Sequence, residues 1–165
     1  MVILGISLGT TTTGVAILSG GELVFWHTHS FRDRWTDDKA ALIASRYERY
    51  IHQYRPRLIM VKIPPEHHHS SAIKQLLLKI KSLFAYHGCM VEYTVKEEVK
   101  AAIQVNNHHQ LMKYVTEVYP ILLPEYDKAV AGKNKYHTKL FDAVMAAHTG
   151  QEVLKTKAQE TVGSP

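Results

Sequence analysis

The chain has 165 residues, 45% hydrophobic and 21% charged, a balance that excludes collagen-like and wholly disordered classes and points to one globular domain. Its one cysteine, Cys89, excludes an internal disulfide framework, and no apolar run approaches the ~20 residues of a membrane span. Twenty Lys and Arg against fifteen Asp and Glu give a net charge of +5, which permits nucleic-acid binding without requiring it.

Met1 to Ile6 lacks the basic start and small-residue cleavage site of a signal peptide, so a cytoplasmic location is expected. Val2 to Ser7 reads as a strand, and Leu8 to Thr13 as a small-residue turn. Gly14 to Ser19 is a second strand. Gly20-Gly21 is a two-residue hairpin signal, because both glycines accept positive φ, and Glu22 to His29 is the third strand. Thr36 or Asp37 caps a helix to about Tyr54, with Ile43, Tyr47, Tyr50, Ile51 and Tyr54 on one face. Pro56 ends it. Leu58 to Lys62 is a continuous apolar strand with a charged end, as in buried parallel sheets, and Pro64-Pro65 stops it.

Ser70 or Ser71 opens the next helix, whose stripe is Ile73, Leu76, Leu77, Ile80, Leu83 and Phe84; Gly88 suits its C-terminal cap. Met90 to Val95 is a fifth strand. Short helices are expected at Glu97 to Ile103 and Asn107 to Tyr119, then a loop over Pro120 to Tyr136. The last helix is Thr138 to Thr149, with a wide apolar arc of Leu140, Phe141, Ala143, Val144, Ala147 and His148. A polar tail, partly helical or disordered, fills 151–165. The order predicts an α/β domain: a mixed five-stranded sheet, three antiparallel strands followed by βαβ crossovers, with helices on both faces.

The segment Ile3-Leu4-Gly5-Ile6-Ser7-Leu8-Gly9-Thr10-Thr11 resembles the first strand of the RNase H-like superfamily, where a strand ends in Asp before a small-residue turn. Within that superfamily it is most similar to the RuvC-type Holliday-junction resolvases and their YqgF-type relatives. The stretch Val91 to Val118, with Glu92-Tyr93, Val99-Lys100, Gln104-Val105 and Met112-Lys113, resembles their fifth strand and following helices. Asp142-Ala143-Val144-Met145-Ala146-Ala147-His148 resembles their last helix. The resemblance covers roughly residues 1–150, the RNase H-like domain it implies. It implies two-metal phosphodiester hydrolysis, with two divalent cations held by carboxylates.

Carried onto this chain, the family's first Asp falls on Ser7 and its strand-four Glu on Lys62. Its last-helix pair, spaced i and i+3, falls on Lys139 and Asp142. Only Asp142 is a carboxylate, so the four positions sum to about +1 at neutral pH, and the implied Mg²⁺ is not expected. Glu66, past two prolines, is a poor replacement; His137, before the last helix, could turn inward, and a one-residue slip would bring Thr138 in for Lys139, but none of these restores Ser7 and Lys62. On the helical wheel Lys139 and Asp142 share a face opposite the apolar arc. Lys62 is expected to supply charge where a metal sits and to pair with Asp142; alternatively Lys139 pairs with Asp142 along the helix.

Lys74, Lys79 and Lys81, with Lys96, Lys100, Lys113, Lys133 and Lys135, are candidates for a phosphate-contacting surface, and Tyr114 and Tyr136 suit exposed bases. The loop from Lys128 to Tyr136 is the best local candidate. His67-His68-His69 and His108-His109 read as polar segments and not as metal sites, because consecutive residues cannot converge on one ion. Leu78 is apolar on a polar helix side, and a homodimer contact there is implied by the family. Cys89 reads as a buried small residue.

Three functions follow. The first is a resolvase homologue that binds branched or duplex DNA, as a homodimer, without cutting. The second is an active metal-dependent endonuclease with unidentified ligands, requiring Mg²⁺. In the third, the Gly5 to Thr11 segment also resembles the phosphate loop of the actin-like and sugar-kinase superfamily, which implies ATP binding.

Overall fold

In a computed structural model, which describes residues 1–132 and 136–162, five strands form one mixed sheet. They are β1 (Val2–Ser7), β2 (Thr12–Ser19), β3 (Glu22–Ser30), β4 (Leu58–Ile63) and β5 (Met90–Val95), in the order β3-β2-β1-β4-β5. β1, β2 and β3 pair antiparallel, whereas β4 lies parallel to both β1 and β5. Gly20 and Gly21 take φ of 59° and 84°, the paired positive values that a tight hairpin with the native strand twist requires.

Alternation along β1 and β4 splits the core in two. Leu4, Ile6, Ile59 and Val61 face one side, where α1 (Asp37–Tyr54) and α2 (Ser71–Tyr86) bring Ile43, Tyr47, Leu76, Ile80 and Phe84. Ile3, Leu58 and Met60 face the other, covered by α3 (Lys96–Ile103), α4 (His108–Val118) and α6 (Tyr136–Val162). α5 (Leu123–Ala131) adjoins this second layer. The caps follow the sequence signals: Thr36 accepts from the Lys39 amide, Ser70 from Ile73 and Asn107 from Gln110. Gly88 has φ 66° just past α2.

α6 lies very close to the sheet because the contact residues are small. A Cβ on Gly5 would lie 2.8 Å from both the Ala147 amide nitrogen and its Cβ, and one on Gly14 would run into the Lys139 backbone. This approach sets the height of Lys139 and Asp142 above the strand ends.

Four expectations change. Residues Pro120 to Ala131, expected as loop, form a 3-10 turn (Pro120–Leu122) and α5; Pro124 sits in the first turn, where its missing N–H costs no hydrogen bond. α6 runs on through Val162, past the Thr149 boundary, because the polar residues after Gln151 are good helix formers and Leu154 still packs on the core. Asp142 and Ala146 are buried along with the apolar arc, since α6 is sandwiched between the sheet and α3, α4 and α5. Cys89 is only half-buried. Among the described residues, no helix is long and apolar enough to cross a membrane.

Candidate functional site

The four positions singled out in the sequence, Ser7, Lys62, Lys139 and Asp142, converge. Ser7 ends β1 and Lys62 lies near the end of β4, and the two are direct partners in the parallel ladder. Period-two alternation turns both side chains to the α6 side, the side of Gly5 and Met60. Lys139 and Asp142, one turn apart on α6, meet them from above. Ser7, Lys62 and Asp142 are all buried.

Asp142 is the hub. Its Oδ2 lies 3.3 Å from the Lys62 Nζ, an ion pair whose geometry is not that of a hydrogen bond. Its Oδ1 lies 3.7 Å from the Nδ1 of His108, the first residue of α4. Lys139 does not pair along the helix with Asp142: its Nζ donates to the Leu8 carbonyl at 2.9 Å. Gly9 leaves room for this, since a Cβ there would stand 3.1 Å from the same Nζ.

Lys96, at the start of α3 just past β5, completes the cluster by facing Asp142, Lys62 and Lys139 electrostatically. Burial pulls Lys139 from 10.5 down to about 8, helped by Lys62 and Lys96 and opposed by Asp142. Burial likewise lowers Lys96 and His108, against the pull of Asp142. Three lysines therefore surround one carboxylate. Ser7 Oγ, Asp142 Oδ2 and both ring nitrogens of His108 find no hydrogen-bond partner among the described residues. Buried polar atoms of this kind normally have partners, so the cluster is an incompletely satisfied polar site and not a closed structural network.

This donor set does not fit a pair of Mg²⁺ ions. Magnesium takes hard oxygen ligands, and here one ion-paired carboxylate and one hydroxyl stand among three amines. An ammonium ~4 Å from a dication costs several kcal/mol at intermediate dielectric. The considered replacements lie elsewhere: Glu66 sits exposed in a 3-10 turn (Glu66–His68), and His137 faces Glu125 of α5 at 3.7 Å.

The other candidate lysines are spread out. Lys100, on α3, pairs with Glu97 at 3.1 Å, and Lys113 is exposed on α4. Lys74 and Lys81 are on α2, in the opposite layer. Lys74 lies in the first turn, towards the sheet end that holds the pocket, and Lys81 sits 5.3 Å from the ring centre of Tyr93. Lys133 and Lys135 lie outside the described residues. Sequence reasoning missed the placement of His108 beside Asp142. The signal was weak: a histidine just after an Asn cap, with no spacing to tie it to residue 142.

No family model matches the sequence, and no curated protein matches it. Solved structures do. RuvC of Thermus thermophilus in complex with Holliday junction substrate aligns over 95% of this chain and 96% of its own, with a TM-score of 0.75 and 16% identity. Another structure of Thermus thermophilus RuvC aligns over 95% and 97%, with a TM-score of 0.70 and 16% identity. The chain has the RuvC-type RNase H-like fold.

Proposed function

We propose that this chain is a RuvC-like, nucleic-acid-binding module that engages branched or duplex DNA and does not cut it. The observation that carries this reading is the buried Lys62–Asp142 ion pair, set between Ser7 and Lys139, the positions onto which the resemblance carries the family's metal ligands. The fold supports the choice of ligand, since a protein of the same fold is known in complex with a Holliday junction substrate.

The chemistry of the pocket is that of anion recognition. Lys62, Lys96 and Lys139 carry positive charge at the C-terminal edge of β1, β4 and β5, and a phosphodiester is the anion that nucleic acid supplies there. Lys100 and Lys113 extend the basic surface along α3 and α4, and Lys74 extends it on the α2 side. Lys81, Lys133 and Lys135 belong to the same reading. Phosphate contacts position the nucleic acid without reading its sequence, so selectivity would rest on shape. Three amines around one ion-paired carboxylate disfavour the divalent cations that two-metal phosphodiester hydrolysis uses. A homodimer is part of this proposal, with the exposed Leu78 of α2 as an apolar contact.

A labelled four-way junction mixed with the pure protein, with and without Mg²⁺ or Mn²⁺, tests both halves. The expected result is a gel shift that needs no metal, weakens steeply with salt, and is accompanied by no cleavage. Alanine at Lys96 or Lys100 should lower the salt slope by about one. Metal-dependent cutting that Asp142→Asn abolishes would establish an active endonuclease and sink the non-cutting reading. Neither shift nor cutting would remove the nucleic-acid assignment.

A further inference from the structure

A second cluster lies on the α1/α2 layer. α2 begins at the pocket end of the sheet and runs back, so its C-terminus lies at the opposite end, beside the C-terminal turns of α1. There His87 Nε2 sits 2.9 Å from Glu48 Oε2. The His52 ring stands 5.0 Å from the His87 ring, edge to face at 90°. Glu48 and His52 are four apart on α1, so both project from one helical face. His87 caps α2, and its amide bonds to the Leu83 carbonyl, which fixes where the ring starts. One ligand atom from each residue falls within 4.8 Å of the others. Among the described residues no other His, Cys, Asp and Glu group of three comes so close.

We propose that Glu48, His52 and His87 bind one zinc-class dication, which ties the C-terminal ends of α1 and α2 together. Two imidazoles and one carboxylate form a nitrogen-rich set that suits Zn²⁺ better than Mg²⁺ or Ca²⁺. Tetrahedral zinc, with bonds of about 2.0–2.1 Å, places its ligand atoms about 3.4 Å apart. Closing from 4.8 Å is a side-chain movement of roughly an ångström, and His52 is exposed and free to make it. The Glu48–His87 pair is complete without His52; the third donor is what makes the group a ligand set. Three protein ligands leave a fourth coordination position. The recess beside the site is lined by Ile51, Arg55, Pro56, Arg57, Gly88 and Cys89. Its two arginines disfavour a cation held by charge alone, which further selects for an ion that forms strong nitrogen bonds. The site shares no residue with the lysine pocket and does not depend on the nucleic-acid reading.

The test is Zn²⁺ titration of the untagged full chain by calorimetry and by competition with a chromophoric chelator, with thermal unfolding read in parallel. The wild type should take up one tight equivalent and unfold at a higher temperature. His87→Ala and His52→Ala should each weaken that equivalent at least about tenfold, since even outer partners of metal ligands are worth that much. His52 is exposed, so its variant keeps the test sound if His87→Ala fails to fold. A triple variant, His67→Ala with His68→Ala and His69→Ala, should keep the tight equivalent. Equal uptake by wild type, H52A and H87A would overturn the proposal, and so would uptake lost only in the triple variant.

Discussion

Lys62 Nζ and Asp142 Oδ2 stand 3.3 Å apart, with both side chains buried between the end of β4 and the second turn of α6. The pair also stands beside two further amines, Lys96 and Lys139. Removing the carboxylate takes the counter-ion from Lys62 and Lys139 and leaves Lys96 with Glu97 alone. Asp142→Ala should therefore cost about 3–5 kcal/mol, the usual result of breaking a buried pair from one side. Replacing both partners with apolar residues, Lys62→Met with Asp142→Leu, should cost less, since one of the three amines leaves with the carboxylate. Urea unfolding of the two variants checks this, and an Asp142→Ala protein as stable as wild type would refute the pair's structural role.

Lys139 gives a pH signature. Its folded-state pKa of about 8 lies below the ordinary 10.5. Between those values the unfolded chain holds the proton and the folded chain does not, so stability rises with pH across that window. Below pH 8 the group is charged in both states and the slope vanishes. The gain is a few kcal/mol at most. Lys96, also lowered, adds the same sign. Burial raises Tyr47 and Tyr50, and ionisation of such tyrosines in the unfolded chain reverses the trend above about pH 10. Burial also raises the Cys89 thiol, whose ionisation in the unfolded chain opposes the climb between pH 8 and about 9.5, so the comparison is made in a Cys89→Ser background. Urea midpoints there should climb with Lys139 in place and climb less for Lys139→Met; parallel curves would show that burial does not perturb Lys139.

The sheet was legible in the sequence, and the grouping of Ser7, Lys62, Lys139 and Asp142 was legible only through the family resemblance. Short apolar runs, the Gly20-Gly21 turn and the capping residues each act locally, and period-two alternation decides which side a strand residue faces. α5 was not legible, because Pro124 and Gly132 read as loop signals when their positions, just inside and just past a helix, are unknown. The burial of Asp142 was hidden too, since it depends on what packs against α6. His108 and Lys96 entered the pocket through tertiary placement alone. Glu48 and His52 share only an ordinary i, i+4 helical spacing, and His87, which caps the next helix, joins them for the same reason.

Gly5 tests the packing that seats α6. Any side chain there meets Ala147 and the α6 backbone. Gly5→Ala forces the helix away from β1, and the misfit involves backbone, which cannot swing aside. The expected cost is at or above the upper end of the about 1–3 kcal/mol seen for overpacked cores. Gly20→Ala is the contrasting case, because nothing lies within 4 Å of its added Cβ and only the positive φ penalises it. Thermal unfolding should rank Gly5→Ala well below Gly20→Ala. The reverse order would place α6 further from the sheet.

Reversing the charge of the lysine cluster should create a metal site. Lys62, Lys96 and Lys139 against Asp142 give the pocket a formal charge of +2, taking every lysine as protonated. Ser7→Asp with Lys62→Glu changes that by −3 and places two carboxylates on the paired strand ends, facing Asp142. The site then has three hard oxygen ligands and a formal charge of −1, which suits one Mg²⁺. Added Mg²⁺ should raise the unfolding temperature of the double variant and leave the wild type unchanged, because only a folded state that binds the ion is stabilised by it. Equal stabilisation of both proteins would mean that the native pocket holds the ion despite its lysines. No response from a folded double variant would mean that Lys96 and Lys139 suffice to repel it, which makes Lys139→Glu the next substitution to add.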